Sequence, residues 1–520
     1  MNTFIQRFTG KIKGVIKGFD RAVFKGCLRP ITYADGAMAF LRYRGVLNKN
    51  YKQWVMAQSE LMEQGADRYA RKTCGQGIEP IASSRERKES IAHQRQRDSG
   101  IKHGLIGVWS CVEACSTFRA CYDAKAGFPQ LRHKFSRCKH LYFYYDHRDY
   151  GFMSVRLQTW FPYSIQIALN GREWLRRSLE KRKIEFIIHG NKFLHIADYA
   201  CAQKLLYAQL DTRWKPLLES FLPKTFPGME RTLGPLLSYY WTLWQSEWAA
   251  DYIFDSPDNL KPIMDSLARH AFMTGTGDRL LRYMGRPVDA AGQPHPRTHP
   301  EVLTRASVWH DGIRIRHWVD KNSVKLYNEH NNLRVEMTMN NPAMFRVFRC
   351  VQGKRLEPKK FLPLRKGIAD IAIRAQVADN VNNRFMEQMA TVKDDTPLSH
   401  ILNEISRPSV KNGRRIRALD ITGKDREFLQ ALSDPQFAVS GLANKDLRKK
   451  LHASPWAKGG TEKQLSARVS RHLRLMRDLG LVRKMPNQRH YLLSPQGQTL
   501  TTALNALLSA SIQQLVNIAA

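Results

Sequence analysis

Residues 322–341 read NSVKLYNEHNNLRVEMTMNN, and apolar and polar side chains alternate along both halves of this stretch. A period of two residues is typical of β-strands that bury one face, so the stretch predicts an antiparallel hairpin. The expected register places Lys325 opposite Glu336 on the polar face. Two interpretations of that face stay open: a solvated surface held by ion pairs, or a working site.

The segments around this hairpin predict a multidomain α+β fold with antiparallel sheet and helical regions. IRIRHWVD at 313–320 and MFRVFRCVQ at 344–352 have strand character and are expected to extend the same antiparallel sheet. KIKGVIKGFDRAVFKGCLRP at 11–30 alternates apolar and basic residues and predicts a strand pair with Asp20 at its centre. YYWTLWQSEWAADYIF at 239–254 is assigned to a run of helices.

The balance of charge points to a polyanionic partner. The chain has 83 Lys and Arg residues against 46 Asp and Glu residues, which gives a formal net charge of +37. Such an excess repels itself unless a polyanion neutralises it, so nucleic acid is the expected partner, with DNA favoured and RNA as the alternative. The sequence has no long apolar run and no acylation signal, so no membrane partner is expected.

The C-terminal region, residues 424–500, predicts the element order helix, helix, helix, hairpin, helix. Thr461 is followed three residues later by Gln464, a capping-box pattern that predicts the start of the third helix. The segment RHLRLMRDLGLVRKMPNQRHYLLSPQG resembles that of MarR-type winged-helix proteins. The resemblance implies a winged-helix domain, for which a homodimer would be suitable.

The winged-helix resemblance also implies a set of nucleic-acid-binding residues. The third helix would enter the major groove, and the hairpin would reach phosphates or the minor groove. The basic side chains at those positions are Lys463, Arg468, Arg471, Arg474, Arg483, Lys484 and Arg489, with His472 beside them. The alternative is a winged helix that makes only protein contacts or dimerises.

The domain boundaries follow from these segments and from the proline- and glycine-rich stretch GRPVDAAGQPHPRTHP. A chain of 520 residues is too long for a single core. The expected regions are an N-terminal α+β domain at 1–197, a helical segment at 198–285, a linker at 286–300, an antiparallel sheet with helices at 301–423, and the winged-helix domain at 424–520.

Taken whole, the chain resembles a widespread family of bacterial proteins of this length. The shared segments are GFDR, CKHLYFYY, QSEWAADYIF and LRVE, ahead of a winged helix. This resemblance implies the domain order and lends weight to those four segments. It implies no activity, so the function has to be argued from the chemistry of the residues.

Acidic residues in these segments are candidates for holding a divalent cation, Mg²⁺ or Mn²⁺. Enzymes that cut nucleic acid use carboxylates to hold two cations on the attacking and leaving oxygens. The candidate catalytic residues are Asp20, Glu247, Asp251, Glu336 and Lys325. If 239–254 is helical, Glu247 and Asp251 lie on one face and repel each other unless a cation or a base lies between them. The alternative is that the acids form ion pairs with Arg and Lys.

The hairpin also resembles a segment of rolling-circle replication initiators, in which an acid on such a strand binds metal. That resemblance is confined to the K-x-Y and L-R-x-E strands. Those enzymes use a tyrosine nucleophile, and no tyrosine occurs between Tyr327 and Tyr491. The resemblance would therefore require an upstream tyrosine as the nucleophile.

The cysteines predict reduced thiols or a zinc site. The first residues, MNTFIQRFTGKIKGVIKGFDR, lack the apolar core of a secretory signal, so a reducing cytoplasmic location is expected. Cys111, Cys115, Cys138 and His140 lie close together in sequence, and four such ligands suit a structural zinc ion. The alternative is that they are buried side chains of a reduced sheet.

Two functions from different classes fit the sequence. The first is a nucleic-acid-processing enzyme of mobile-element or replication type, with a metal-dependent strand-cutting site ahead of the winged helix. The second is a non-catalytic DNA- or RNA-binding transcriptional regulator. The length favours the first, because a winged-helix regulator needs only about 100–200 residues and the chain has 520.

Overall fold

The architecture comes from a computed structural model, which describes residues 3–504 except 236, 276–279, 282, 286–301, 310–311, 352–359, 391–401, 404, 412, 433–436, 438–441, 485–488, 495–496, 498–499 and 502. The expected linker at 286–300 therefore lies outside the described residues. The fold is α+β, and the chain divides into two compact units. The sheet unit comprises Lys13–Pro257 and Glu329–Asp379, and the C-terminal unit comprises Met1–Ile12, Asp258–Asn328 and Asn380–Ala520.

The described strands, in chain order, are β1 (Ile12–Cys27), β2 (Glu79–Pro80), β3 (Gly104–Asp123), β4 (Phe128–His147), β5 (Gly151–Gln158), β6 (Ile165–Asn170), β7 (Phe186–His189), β8 (Lys192–Ile196), β9 (Tyr240–Phe254), β10 (Val302–Trp309), β11 (Gly312–Val319), β12 (Asn322–Glu329), β13 (Asn332–Met339), β14 (Arg346–Arg349), β15 (Lys360–Pro363), β16 (Ser409–Lys411), β17 (Arg414–Ile416), β18 (Val482–Lys484) and β19 (Tyr491–Leu493).

The described α-helices, in chain order, are α1 (Thr3–Arg7), α2 (Ala34–Tyr43), α3 (Tyr51–Cys74), α4 (Lys88–Ser99), α5 (Gly171–Lys181), α6 (Tyr199–Ala208), α7 (Trp214–Glu219), α8 (Leu222–Thr225), α9 (Met229–Leu233), α10 (Pro257–Thr274), α11 (Ile371–Met389), α12 (Arg426–Leu432), α13 (Asn444–Leu451) and α14 (Glu462–Asp478). None of the helices described here has the length and hydropathy needed to cross a lipid bilayer.

The core of the sheet unit is one sheet with the strand order β13-β9-β1-β6-β5-β4-β3-β2. The pairs β13–β9, β1–β6, β6–β5, β5–β4 and β4–β3 are antiparallel, whereas β2 and β3 run parallel. Helices α5 and α6 and the β7–β8 hairpin pack against β1 and β9 through a buried apolar cluster that includes Ile16, Leu175, Phe193, Leu206 and Ile253. The order places β13, β9 and β1 side by side, although they are far apart in sequence.

The first strand corrects the expected strand pair at 11–30. β1 is a single strand of 16 residues rather than a hairpin. Its glycines do not bend the chain, because helix α6 packs closely over them. A Cβ atom at Gly14 would lie 2.4 Å from the ring of Tyr199, and one at Gly18 would lie 2.7 Å from Leu206. The glycines thus mark a close approach of a helix rather than turns.

The segment at 239–254 corrects a second expectation, because it forms strand β9 and not a helix. Its second half, from Trp248 to Phe254, is buried on both faces. A strand buried on both faces has a continuous apolar run, which removes the two-residue period that would have identified it. Glu247 and Asp251 still share a face, but four residues along a strand separate their Cα atoms by roughly 13 Å.

The region of the opening hairpin is confirmed as two consecutive strands, β12 and β13, with only His330 and Asn331 between them. All eight residues of β13 are buried, so its polar face is not a solvated surface. MFRVFRCVQ does not extend the sheet as expected: β14 pairs with β15 as a separate two-stranded sheet. Strand β10, which the sequence analysis missed, pairs with β11.

The last part of the C-terminal unit contains α12, α13, α14 and the paired strands β18 and β19, in that order. These elements enclose an apolar cluster that includes Phe428, Leu447, Leu465, Leu473 and Leu493. The predicted capping box is confirmed at the start of α14. The Thr461 side chain accepts a hydrogen bond from the Gln464 amide, and the Gln464 side chain accepts one from the Thr461 amide.

Candidate functional site

Three carboxylates from three adjacent strands meet in the sheet unit. Asp20 lies on β1, Glu247 on β9 and Glu336 on β13, and one oxygen of each lies within 4.8 Å of the others. Three such oxygens can hold a divalent cation, because Mg²⁺ and Mn²⁺ prefer carboxylate ligands. Among the residues that the structure describes, this acidic triad is the one group of three metal-ligating side chains that converges in this way.

The acidic triad opens into a cleft of about 270 Å³. Asp20 and Glu247 line the cleft, while Glu336 is only 1% exposed and is not among its lining residues. The cleft is also lined by Arg21, Glu89, His93, Asn170 and Asn191. The His93 ring stacks on Phe152 with 3.7 Å between ring centroids. The lining of the cleft thus combines the carboxylates of Asp20, Glu247 and Glu89 with basic and amide side chains.

A buried ion-pair network contacts the triad at Asp20. Asp251 and Arg172 are fully buried, and the Arg172 guanidinium lies 2.9 Å from Asp251 Oδ2. Arg334 donates to both oxygens of Asp251, and another of its nitrogens donates to Asp20 Oδ1 at 2.8 Å. The same guanidinium donates to the Asn191 carbonyl at 2.9 Å. The bonds to Asp251 and Asn191 hold the Arg334 guanidinium in place, and its bond to Asp20 orients that carboxylate.

Two asparagines hold Asp20 from the helix side. The Asn170 side chain caps α5 by accepting hydrogen bonds from the Arg172 and Glu173 amides. Its Nδ2 donates to Asn191 Oδ1 at 3.0 Å, and Asn191 Nδ2 donates to Asp20 Oδ1. The start of α5 is thereby connected to the acidic triad through side-chain hydrogen bonds.

The two aspartates in this region have opposite pKa shifts. Burial raises the pKa of Asp20; Arg334 partly offsets this, and the adjacent Glu336 raises it further. Burial also favours the neutral form of Asp251, but the attraction of Arg172 and Arg334 outweighs burial and lowers the pKa of Asp251. Asp251 is thus an ionised structural partner, whereas burial favours the neutral form of Asp20 and a bound cation would favour its ionised form.

The structure brings together three of the five predicted catalytic residues. Asp20, Glu247 and Glu336 converge. Asp251 is occupied by Arg172 and Arg334, as the ion-pair interpretation proposed for it. Lys325 lies on β12 in the C-terminal unit, opposite Arg316 of β11. Its pairing with Glu336 stays a prediction.

The predicted zinc ligands lie on facing strands, but the expectation of free thiols is wrong for two of them. Cys111 pairs with His140 across β3 and β4, and Cys115 is joined to Cys138 by a disulfide. Those two sulfurs are therefore not thiolate ligands. Burial raises the pKa of the Cys111 thiol and lowers the pKa of His140 to about 4. Both side chains are then neutral at pH 7, as expected of core residues.

The predicted nucleic-acid-binding residues lie on α14 and on the β18–β19 region. Most of them are exposed: Lys463, Arg471, Arg474, Arg483, Lys484 and Arg489. Arg468 is half-buried and donates to the Trp456 carbonyl at 2.7 Å, so it contributes to packing. His472 Nε2 lies 3.2 Å from Asp425 Oδ1.

The sequence analysis missed the residues that position Asp20. Arg172 comes from the GREWLRRS helix, Asn170 is the last residue of β6 and Asn191 lies in the turn between β7 and β8, and none of them was singled out. The signal for Asn170 was present, because Asn directly before a helical segment is a common N-cap. Arg172 and Asn191 become recognisable only when the sheet order is known, since their partners are far away in sequence.

Comparison with known proteins gives no relative for this chain: no family model, curated protein or solved structure matches it.

Metal binding at the triad gives a direct prediction. We expect Mn²⁺ to raise the unfolding temperature of the protein, since a ligand at about 100 times its Kd stabilises by about 2.7 kcal/mol. The increase should grow with pH, because Asp20 has a raised pKa and must lose its proton to bind the cation. Calorimetry at several pH values measures both. Asp149→Asn, which removes an exposed ion pair with Lys181, is the matched control. An equal Mn²⁺ effect in wild type and Glu336→Gln would contradict the site.

Proposed function

We propose that this protein is a metal-dependent enzyme that cuts phosphodiester strands of nucleic acid, with DNA as the favoured substrate. The observation that carries the proposal is the convergence of Asp20, Glu247 and Glu336 in a cleft of a chain with a net charge of +37. Carboxylates alone repel a phosphodiester, so an acidic triad in such a basic protein is best explained by cations that neutralise both.

The residues of the chain have distinct roles in this proposal. Asp20, Glu247 and Glu336 hold the cation, which supplies Lewis-acid stabilisation of negative charge at the phosphoryl oxygens. Arg334 and Asn191 are positioning residues that fix the carboxylate of Asp20. Arg21 also lines the cleft, ion-paired with Glu89 at 3.2 Å, and its guanidinium is suited to contact a phosphate.

We further propose that α12–α14 and β18–β19 act as a winged helix that binds duplex DNA. The support is the element order, the apolar cluster that unites the elements, and the exposed basic side chains of α14 and β18. The exposed face of α14 would enter the major groove, and Arg483 and Lys484 would contact phosphates. A homodimer would place two such helices on two half-sites.

The test is incubation of the purified protein with labelled single-stranded DNA, duplex DNA, supercoiled DNA and RNA. Each substrate is offered with Mg²⁺, with Mn²⁺, with Ca²⁺ and with chelator. Cutting that requires Mg²⁺ or Mn²⁺ would support the proposal that the protein is a metal-dependent enzyme. Binding of every substrate without cutting in any metal would contradict it and would favour the non-catalytic regulator.

The proposed recognition helix gives a second prediction. We expect Arg471→Ala/Arg474→Ala to weaken binding of the preferred duplex by about 30-fold or more, because two base contacts at about 1–3 kcal/mol each are lost. The double variant Arg407→Ala/Arg426→Ala removes two exposed arginines elsewhere in the C-terminal unit and is the control. Fluorescence anisotropy with labelled duplexes measures both. Equal losses of affinity in both variants would mean that only net charge matters, and would contradict the assignment of α14 as the recognition helix.

A further inference from the structure

A second basic site lies beside α14, in a segment to which the sequence analysis gave no function. A cavity of about 350 Å³ is formed by the β16–β17 hairpin and α14. We call it the arginine pocket. Its basic lining residues are Arg414, Arg415 and Arg417 from the hairpin, and Arg471, His472 and Arg474 from α14.

The hairpin is short and held in a defined register. Val410 pairs with Arg415 and Lys411 with Arg414, and Gly413 between the strands has φ +71°, a left-handed conformation that favours glycine. Val410 is 73% exposed. The hairpin is therefore anchored by the buried Ile416 and leaves Arg414 and Arg415 exposed.

Asp425 ties the hairpin to α14. This carboxylate is fully buried and accepts two hydrogen bonds from Arg417, at 2.6 and 2.7 Å. It also accepts one from the Asp420 amide at 2.9 Å, and His472 Nε2 of α14 lies 3.2 Å away. Burial opposes ionisation, but hydrogen bonds from Arg417 and His472 keep the pKa of Asp425 well below its usual range. The hairpin is thus fixed against the helix.

The remaining arginines of the pocket lack such compensation. Within the described part of the chain, Arg414, Arg415, Arg471 and Arg474 form no ion pair with a carboxylate. The pocket includes one acid, Asp478, which lies 3.3 Å from Arg477. Guanidiniums gathered around one cavity repel each other, so the arrangement suits an anion that binds between them.

We propose that Arg414 and Arg415 of the arginine pocket bind a backbone phosphate of duplex nucleic acid, which leaves Arg471 and Arg474 for the bases, so that the β16–β17 hairpin and α14 contact the same duplex. Guanidiniums match the geometry of phosphate oxygens through paired hydrogen bonds. A contact of this kind positions the protein without reading sequence. The inference rests on the proposed nucleic-acid binding of the C-terminal unit and is independent of the acidic triad.

The experiment compares Arg414→Ala/Arg415→Ala with wild type and with Arg407→Ala/Arg426→Ala, all as full-length protein. Anisotropy with labelled duplexes is recorded over a range of salt concentrations. We expect the pocket variant to bind about 10-fold more weakly on every duplex sequence. The slope of log affinity against log salt should fall by about 1, because about one counterion is released for each phosphate contact. Arg414→Lys/Arg415→Lys should keep the slope and lose part of the affinity.

The outcomes separate this inference from the proposed function. Equal slopes for the pocket variant and the control would overturn the phosphate contact. If Arg471→Ala/Arg474→Ala weakens binding of the preferred duplex more than binding of other duplexes, the recognition helix stands. If neither variant weakens binding, the proposed nucleic-acid surface fails as well. Inorganic phosphate is tested by its effect on the unfolding temperature. If phosphate protects wild type but not the pocket variant, while both bind duplex equally, the pocket is a site for free phosphate and the proposal is overturned.

Discussion

Glu336→Gln is expected to reduce metal-dependent strand cutting by about 10³-fold or more, with duplex binding unchanged. Glu336 is 1% exposed and lies within 4.8 Å of Asp20 and Glu247, so the amide keeps the shape and removes the charge that the cation needs. Loss of about 4 kcal/mol of transition-state stabilisation corresponds to that factor. Asp20→Asn and Glu247→Gln should behave in the same way, since each removes one ligand.

The measurement is a single-turnover cutting assay on the best substrate, with Mn²⁺ binding measured by calorimetry on the same samples. Asp149→Asn again serves as the control, because it removes a carboxylate from the surface of the same unit. Unchanged unfolding temperature and unchanged duplex affinity would show that the Glu336→Gln protein is folded. Cutting at the wild-type rate by that folded variant would exclude the triad as the active site.

The residues of this site could be named from the sequence, but their proximity could not. Asp20, Glu247 and Glu336 are acids in segments of recognisable character, and residue type alone made them candidates. Their convergence depends on β9 lying between β1 and β13. Strand order in a sheet is set by long-range packing, which local periodicity does not encode.

The wrong expectations share a physical cause. β9 has the apolar run of a strand buried on both faces, and that run carries neither a helical nor an alternating period. The glycines of β1 look like turn residues, but they make room for Tyr199 and Leu206 of α6. Cys115 and Cys138 are 23 residues apart and meet only because β3 and β4 pair in one register. Each error concerns a contact between distant segments.

The capping box succeeded for the opposite reason. Thr461 and Gln464 interact within a single turn of helix, so the sequence contains both partners. The elements of the expected winged helix were predicted from local patterns of this type. DNA binding by those elements depends on a partner outside the chain. Mutation of the arginines on α14 is therefore the informative test of that part.

Asp251→Asn is expected to destabilise the sheet unit by about 3–5 kcal/mol, although it lies beside residues of the proposed active site. The substitution removes the charge that compensates Arg172 and Arg334, both of which are buried. Uncompensated buried charges carry a desolvation cost of that order. Asp20→Asn should show the contrary behaviour in metal-free protein. Its pKa is raised in the fold, so neutralising it relieves repulsion from Glu336 and leaves stability equal or higher.

The lowered pKa of Asp251 predicts that stability falls as the pH is lowered. A carboxylate with a depressed folded-state pKa contributes stability above its unfolded pKa of about 3.9 and loses that contribution as pH falls through the folded value. The free energy of unfolding of wild type, measured with urea, should therefore fall on acidification below about pH 4. The Asp251→Asn variant should lack the part of this fall that comes from Asp251.

A double-mutant cycle separates the ion pair from general damage to the core. If Asp251 acts through Arg172, the double variant Asp251→Asn/Arg172→Met should be more stable than the sum of the single effects predicts, because it removes both charges together. Additive losses would mean that Asp251 supports the fold by another route. In the interacting case, the buried pair fixes the scaffold and leaves metal binding to the three carboxylates in front of it.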